Sequence, residues 1–309
     1  YNYCLASDNS IYLITDVGIR KFVEEENNFE VFHPSGLVRY FITICMFQDR
    51  HGHFWFGTYN GGLYKFEPEN DTVIFYDKRD GLSSNWISVI TEDHRGNIWV
   101  GTFGGGITRI SEAGLRIYDA LNGLEADEIF SILEDVEGNI LIASSKKGFS
   151  IYKGDLIENY GTREGLKNTD VYAITQDKEK NYWIGTREGI TVLGNDMKTP
   201  VACYTEPGSQ LKIENLSQQL KVKFLKIDND HTVWIGTDDQ RVLFLNPLTN
   251  KFQDAFQINL WFSGSDFQVT AMDIDRHNNL WIGTRDGLLK YAVSTGEIIR
   301  FSNESVFQK

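Results

Sequence analysis

The segment Asp93-His94-Arg95-Gly96-Asn97-Ile98-Trp99-Val100-Gly101-Thr102 decides how this chain is read, because it recurs. Its relatives centre on Trp55, Leu141, Trp183, Trp234 and Trp281. A shortened copy, Ile11-Tyr12-Leu13-Ile14-Thr15, puts Tyr12 in the tryptophan place. From Tyr12 onward the spacings are 43, 44, 42, 42, 51 and 47 residues. Seven copies of a unit of about 44 residues therefore fill the 309-residue chain. Self-similarity at such a period marks a repeat architecture.

Each unit reads as four short strands. In the second copy these are Ile42 to Phe47 (strand a), Phe54 to Thr58 (b), Leu63 to Phe66 (c) and Val73 to Tyr76 (d). A turn at Asp49 to Gly52 joins a to b, and Asn60-Gly61-Gly62 joins b to c. Gly81-Leu82 opens the loop to the next strand a. An Asp stands six residues before the aromatic position in six copies, as Asp49, Asp93, Asp135, Asp177, Asp228 and Asp275. At the first position of a turn an Asp side chain accepts from the backbone two residues on, and Gly or Asn later in the turn tolerates positive φ. These aspartates are expected to cap their own hairpins. Gly52, Gly96, Gly138 and Asn278 fill the later place, while Lys180 and His231 depart from it.

Strand b is apolar on successive residues, as in Ile98-Trp99-Val100. A strand with one wet face alternates; one covered on both faces does not. Each small sheet should then lie between two neighbours, with Trp55, Trp99, Trp183, Trp234 and Trp281 in the core. Gly101 and its equivalents Gly57, Gly185, Gly236 and Gly283 should leave room for the adjoining sheet. Radial stacking of four-stranded sheets of this length is a β-propeller. The expected fold is all-β, a seven-bladed β-propeller with four antiparallel strands per blade, formed by residues 1–309 as one domain.

Composition agrees and excludes several function classes. Aromatic residues make up 13% of the chain, with 28 Gly and only 5 Pro. A net charge of −13 argues against phosphate-backbone binding and hence against nucleic acid. No apolar run approaches the ~18 residues of a membrane helix. Cys4, Cys45 and Cys203 make neither a disulfide framework nor a metal-ligand spacing. The first residue is Tyr1 rather than Met, so the sequence is expected to be a piece of a longer protein.

The pattern Asp-x-x-Gly-Asn-hydrophobic-Trp-hydrophobic-Gly-Thr-x-x-Gly-Leu, best seen at Asp93 to Ile107 and Asp275 to Leu288, resembles the two-component regulator propeller repeat. The linker Asp80-Gly81-Leu82-Ser83-Ser84-Asn85 is similar to that family's link between blades. The resemblance implies the extracytoplasmic sensor part of a histidine kinase, notably of hybrid two-component systems that detect carbohydrate breakdown products in the periplasm. It also implies adjoining propeller and kinase domains in the same protein; a homodimer is a further partner considered. Three copies depart from the pattern: the first lacks the Trp and the spaced Asp, the Leu141 copy continues Ile142-Ala143-Ser144, and the Trp234 copy has lost its Gly-Leu. The long linkers carrying Thr205-Glu206-Pro207-Gly208 and Trp261-Phe262-Ser263-Gly264 draw functional attention.

In a propeller the d–a and b–c loops share one face. The d–a loops supply Arg39, Tyr40, Asn85, Trp86, Glu125, Asp127, Lys167, Asn168, Asp170, Ser265 and Asp266. The b–c loops supply Tyr59, Asn60, Phe103, Lys146, Lys147, Arg187, Glu188, Asp238, Arg241, Arg285 and Asp286. Arginine clasps carboxylate or sulfate, and aromatic faces stack on sugar rings. This mix suits an oligosaccharide, and Arg39, Tyr59, Asn85, Trp86, Lys147, Arg187, Arg241 and Arg285 are the ligand-binding candidates. Each also reads as an ordinary solvated loop residue, and Trp86 also reads as the first core residue of its strand.

His51, His53, His94, His231 and His277 fall in a–b turns at differing offsets, which favours turn filler over a metal site. No nucleophile elbow, phosphate loop, dinucleotide fingerprint or His-Glu-x-x-His occurs, and Gly104-Gly105-Gly106 reads as turn geometry. The expectation is a non-enzyme without cofactor or metal. A polysaccharide or antibiotic lyase of propeller fold and a protein-interaction scaffold are the alternatives.

Overall fold

The computed structural model describes residues 2–6, 10–15, 18–23, 28–32, 34, 42–154, 156–197, 200–204, 221–238, 241–246, 251–257, 269–284 and 287–302. It is a seven-bladed β-propeller of four antiparallel strands per blade, as expected. Blade 1 holds β1 (Asn2–Leu5), β2 (Ile11–Thr15), β3 (Gly18–Val23) and β4 (Asn28–Phe32). Blade 2 holds β5 (Thr43–Gln48), β6 (Phe54–Thr58), β7 (Leu63–Glu67) and β8 (Thr72–Tyr76). Blade 3 holds β9 (Ile87–Glu92), β10 (Ile98–Thr102), β11 (Ile107–Ser111) and β12 (Gly114–Tyr118). Blade 4 holds β13 (Ile129–Glu134), β14 (Ile140–Ser144), β15 (Gly148–Lys153) and β16 (Leu156–Tyr160). Blade 5 holds β17 (Val171–Gln176), β18 (Tyr182–Thr186), β19 (Gly189–Leu193) and β20 (Pro200–Tyr204). Blade 6 holds β21 (Val222–Ile227), β22 (Val233–Thr237), β23 (Arg241–Asn246) and β24 (Lys251–Gln257). Blade 7 holds β25 (Val269–Ile274), β26 (Asn279–Thr284), β27 (Gly287–Ala292) and β28 (Ile298–Ser302).

The chain divides into two compact units. Unit 1 is Tyr1–Ile142, Ile151–Glu158 and Phe301–Lys309; unit 2 is Ala143–Ser150 and Asn159–Arg300. In unit 1 the apolar core lies in seams between consecutive blades. Tyr12 packs with Met46, Phe54 and Phe56 of the next blade. Trp55 packs with Ile87, Ile90 and Val100 of blade 3, and Trp99 with Ile129, Ile132 and Ile142 of blade 4. Unit 2 repeats the plan: Trp183 joins Val222, Leu225 and Ile235, and Trp234 joins Met272, Leu280 and Ile282. Every residue of β6, β10, β14, β18 and β22 is buried, so the unbroken apolar run of strand b is covered on both faces. Among the described residues the first sheet is β1 to β4 and the last is β25 to β28. Within unit 1, Phe301 packs edge-on against Phe22 and Phe29 at ring-centroid distances of 5.2 and 5.7 Å.

The spaced aspartates do two jobs at once. Asp93 Oδ1 accepts from the backbone N–H of Arg95 (3.0 Å) and of Asn97 (2.8 Å). Its Oδ2 accepts from Trp99 Nε1 at 2.8 Å. The same carboxylate-to-indole bond joins Asp49 to Trp55 (2.9 Å), Asp177 to Trp183 (2.9 Å), Asp228 to Trp234 (2.8 Å) and Asp275 to Trp281 (2.8 Å). Six residues of turn and strand place the carboxylate over the indole nitrogen, so the donor that a buried tryptophan must satisfy is supplied within its own hairpin. Asp135, in the copy with Leu141, bonds Asn139 Nδ2 instead at 2.9 Å. Burial alone would raise the Asp93 carboxyl, but the bonds from Asn97 and Trp99 outweigh it and hold it below its ordinary value. Asp49 and Asp275 are lowered in the same way, against burial, by bonds that include those from Trp55 and Trp281.

Lys180 and His231 stand where other copies have Gly or Asn, yet both adopt the same left-handed backbone, with φ of 66° and 65°. The departure is in residue type and not in conformation. Gly57 and Gly101 are required by neighbours: a Cβ on Gly57 would lie 2.6 Å from Ile87, and one on Gly101 2.8 Å from Ile129, each in the next blade. Cys45 is buried beside Gly57, and burial pushes its thiol up to about 12.

Candidate functional site

The b–c turns and d–a loops are stitched together by backbone hydrogen bonds. In unit 1, Tyr59 N–H donates to the Ile42 carbonyl at 2.8 Å, Gly62 N–H to Asn85 at 2.9 Å and Phe103 N–H to Trp86 at 3.0 Å. The amides of Gly104, Gly105 and Gly106 converge on the Asp127 carbonyl at 2.8, 3.2 and 3.3 Å. In unit 2, Gly148 donates to Thr169 (2.8 Å), Arg187 to Asp170 (3.1 Å) and Asp238 to Lys221 (3.1 Å). Each unit thus presents its b–c and d–a residues together.

The first strands add a feature that the sequence analysis missed. Where they enter the sheet, the register against the second strand slips by one residue, a β-bulge, in blades 2, 3, 5, 6 and 7. The register skips Ile44, Ser88, Tyr172, Lys223 and Thr270. Phe130 holds the same place in the sequence of β13. Bulges re-aim side chains and are frequent beside binding sites. No glycine or proline marks these positions, although Ser88, Lys223 and Thr270 each interrupt the apolar residues of a first strand.

In unit 1 the loop residues form an aromatic row. Tyr59 meets Trp86 edge-on at 4.5 Å between ring centroids, Trp86 meets Phe103 at 4.7 Å, and Phe103 meets Phe130 at 5.6 Å. Trp86 precedes β9 and is half-buried between residues of two b–c turns. Among the described residues its buried Nε1 meets no hydrogen-bond partner, and the indole packs between the rings of Tyr59 and Phe103. Tyr59 is 47% exposed and Ile42 72% exposed, which leaves an apolar surface at the open end of the row. Between blades 3 and 4 a cavity of about 350 Å³ is lined by Gly105, Asp119, Leu121, Glu125 and Asp127, among others.

In unit 2 the corresponding loops carry cations. Lys221 Nζ and Lys223 Nζ lie 5.5 and 4.7 Å from the centroid of the Tyr172 ring. Asp238 is 3.1 Å from Lys221 and 3.8 Å from Lys223. Arg187 approaches Asp170 at 3.7 Å. Burial first, and then the adjacent Lys221, lower the Lys223 ammonium below its ordinary value, while burial raises the Tyr172 phenol. Tyr172, Lys221 and Lys223 were not among the sequence-derived ligand candidates; Tyr172 and Lys223 lie in first strands and Lys221 just before β21.

The remaining candidates are dispersed. Asn85 is half-buried, and its side-chain oxygen accepts from the Lys78 N–H at 2.9 Å, a loop-shaping role. Lys147 is exposed at the tip of its b–c turn. The backbone of Arg241 closes its turn on the Thr237 hydroxyl at 3.1 Å. Arg39 and Arg285 lie outside the described residues, as do Tyr40, Ser265, Asp266, Asp286 and the two long linkers. Of the turn histidines, His53 contacts Asp49 at 3.0 Å and His94 pairs with Glu134 of the next blade. Among the described residues no group of three or more His, Cys, Asp or Glu is placed to hold a metal ion. None of their helices is long and apolar enough to cross a membrane.

Three segments, 36–60, 81–104 and 165–188, match the family model described as two component regulator propeller. No curated protein matches the sequence. Among solved structures, the extracellular domain of the putative hybrid two component system BT3049 from B. thetaiotaomicron is similar, with a TM-score of 0.69 and 18% identity, over 98% of this chain and 46% of that one. The corresponding domain of BT4673 from the same organism has a TM-score of 0.65 and 20% identity, over 97% and 48%. A streptogramin B lyase structure has a TM-score of 0.73 and 12% identity, over 97% and 93%. The chain spans about half the length of the two-component domains it matches. It is a seven-bladed β-propeller in which three segments match the two component regulator propeller model.

Proposed function

We propose that this chain is a propeller of the extracytoplasmic, periplasmic sensor of a two-component system, and that its loop face recognises oligosaccharide-type ligands. The observation that carries the saccharide reading is the aromatic row of unit 1. Tyr59 offers an exposed ring whose position is set by Trp86 behind it, and Trp86 is set in turn by Phe103. A preorganised aromatic with one open side suits the apolar face of a sugar ring, since little side-chain freedom is lost on binding. The repeat match supports the sensing role. No catalytic step is assigned to this chain, and kinase activity belongs to adjoining domains. The signal arises when ligand alters packing against an adjoining propeller or a second protomer, because a ligand shifts a two-state equilibrium only by its differential affinity for the two states.

A lyase is the second reading, favoured by the extent of the match to the streptogramin B lyase structure. A catalytically inactive histidine-to-alanine variant is known for the virginiamycin B lyase of Staphylococcus aureus. In this chain the five described histidines lie in a–b turns, away from the b–c and d–a loops, which weighs against the same chemistry at the loop face. Thermal-shift screening against neutral and acidic oligosaccharides tests the proposal. A saturable rise in Tm without turnover, reduced by Tyr59→Ala, supports it. Conversion of a saccharide or a cyclic antibiotic by the pure chain would replace it with the lyase. Silence toward every sugar, together with saturable binding of a protein partner, would replace it with a scaffold.

A further inference from the structure

We propose that Tyr172, Lys221 and Lys223 of unit 2 form an oxyanion subsite, taking the carboxylate of a uronic acid or the sulfate ester of a sugar; the saccharide part rests on the sensing reading above. The bulges of β17 and β21 put Tyr172 and Lys223 at the same position of adjacent first strands, each at a register shift against its second strand. The two ammonium groups gather on one aromatic ring, at 4.7 and 5.5 Å from its centroid. Among the residues described here the only carboxylate within ion-pairing distance of either is Asp238, so two positive charges share one negative charge. This happens in a chain whose net charge is −13.

The burial is of the right degree. The Lys221 side chain is 28% exposed and that of Lys223 32% exposed, so both are partly desolvated and still reachable from solvent. Cations stripped of part of their water and held near each other gain most from an incoming anion, which supplies the missing charge and the missing hydrogen bonds. The tyrosine ring attracts the ammonium groups through its quadrupole but adds no formal charge, so it gathers them without neutralising them. Arg187, in the b–c turn of blade 5, is 61% exposed and holds Asp170 only at 3.7 Å, leaving a guanidinium able to turn toward an anion. Lysine binds an oxyanion as a point charge without demanding planarity, so carboxylate and sulfate share one chemistry here.

Calorimetric titration of the whole chain at low salt separates the possibilities, with a uronate disaccharide, a sulfated disaccharide, a neutral disaccharide and inorganic sulfate as probes. The acidic sugars are expected to bind about tenfold or more tightly than the neutral one, a charge-assisted hydrogen bond being worth that much. Lys223→Gln removes the preference, Lys223→Arg keeps most of it, and added salt narrows it. Thermal melts of both variants check that the fold is retained, and the arginine variant keeps the test valid if the glutamine variant is unstable. Acidic sugars that bind no tighter than neutral ones overturn the subsite and leave saccharide sensing intact, as does a preference that survives Lys223→Gln. Lys223-dependent binding of inorganic sulfate with no saccharide bound at all upholds the oxyanion subsite and removes the saccharide reading. The relative affinities of the two acidic sugars name the oxyanion.

Discussion

The loop residues of unit 1 and those of unit 2 sit on the same scaffold and have opposite character. In unit 1 the bulge and loop residues include Ile44, Ser88, Tyr59, Trp86 and Phe103, a mostly apolar set, and Glu125 and Asp127 line the cavity beside Gly105. In unit 2 they include Tyr172, Arg187, Lys221, Lys223 and Thr270. The framework beneath is nearly unchanged: an aspartate under a tryptophan, a glycine after it, a buried second strand. Framework positions are constrained by close packing and by the need to satisfy a buried donor. Bulge residues and turn tips carry neither constraint, so chemistry diverges there while the fold persists.

The strongest test of the shared framework is to remove the same residue from both units. Trp99→Ala in unit 1 and Trp234→Ala in unit 2 should each cost about 3–5 kcal/mol in urea unfolding, the usual cost of emptying a large aromatic site in a core. A large loss in one unit and a small one in the other would break the equivalence. Next in size, Asp93→Ala and Asp228→Ala each strand an indole N–H and two backbone amides, at roughly 2 kcal/mol apiece. Differential scanning calorimetry should show a lowered Tm for both.

Acid should reach the framework of both units through the same groups. The carboxyls of Asp49, Asp93 and Asp275 are lowered in the folded state, so the unfolded chain takes up protons first as pH falls. Their contribution is whole above the unfolded value of about 4 and is lost as pH drops through the folded values. A plot of Tm against pH should bend down in that window, and Asp93→Asn should make the bend shallower. The smallest effect concerns the loops alone. Tyr59→Ala should weaken a neutral oligosaccharide by roughly 2–10-fold with little change in Tm, the worth of one aromatic contact. Lys223→Gln should leave that neutral affinity unchanged, and a shared loss would merge two surfaces that are separated here by their chemistry.

Much of the fold was legible because its signals are local. The register of Asp93, Trp99 and Gly101 repeats across blades, and the successive apolar residues of β10 announce burial on both faces. Even the degenerate fourth copy keeps its function: Ser144 donates to the Gly148 carbonyl at 2.9 Å, as Thr102 does to Gly106. The indole partner of five of the six aspartates was not anticipated, although the six-residue spacing was in view; a turn reading ends at the backbone and does not follow the carboxylate's second oxygen. The candidate face was legible only as a set of loops. Trp86 and Tyr59 were singled out as types, whereas their edge-on contact is set by two different blades.

By itself the sequence determined the number of blades, the strands within each, the caps of their hairpins and the covered second strand. All of these follow from residues within one repeat. Tertiary structure alone decided which side chains the bulges release, how the cations of β21 and its preceding loop reach a tyrosine of β17, and how far each is buried. The physical reason is range. Turn geometry and strand burial depend on neighbours a few residues away, while a binding surface depends on charge and ring contacts between residues about fifty positions apart, such as Tyr172 and Lys223.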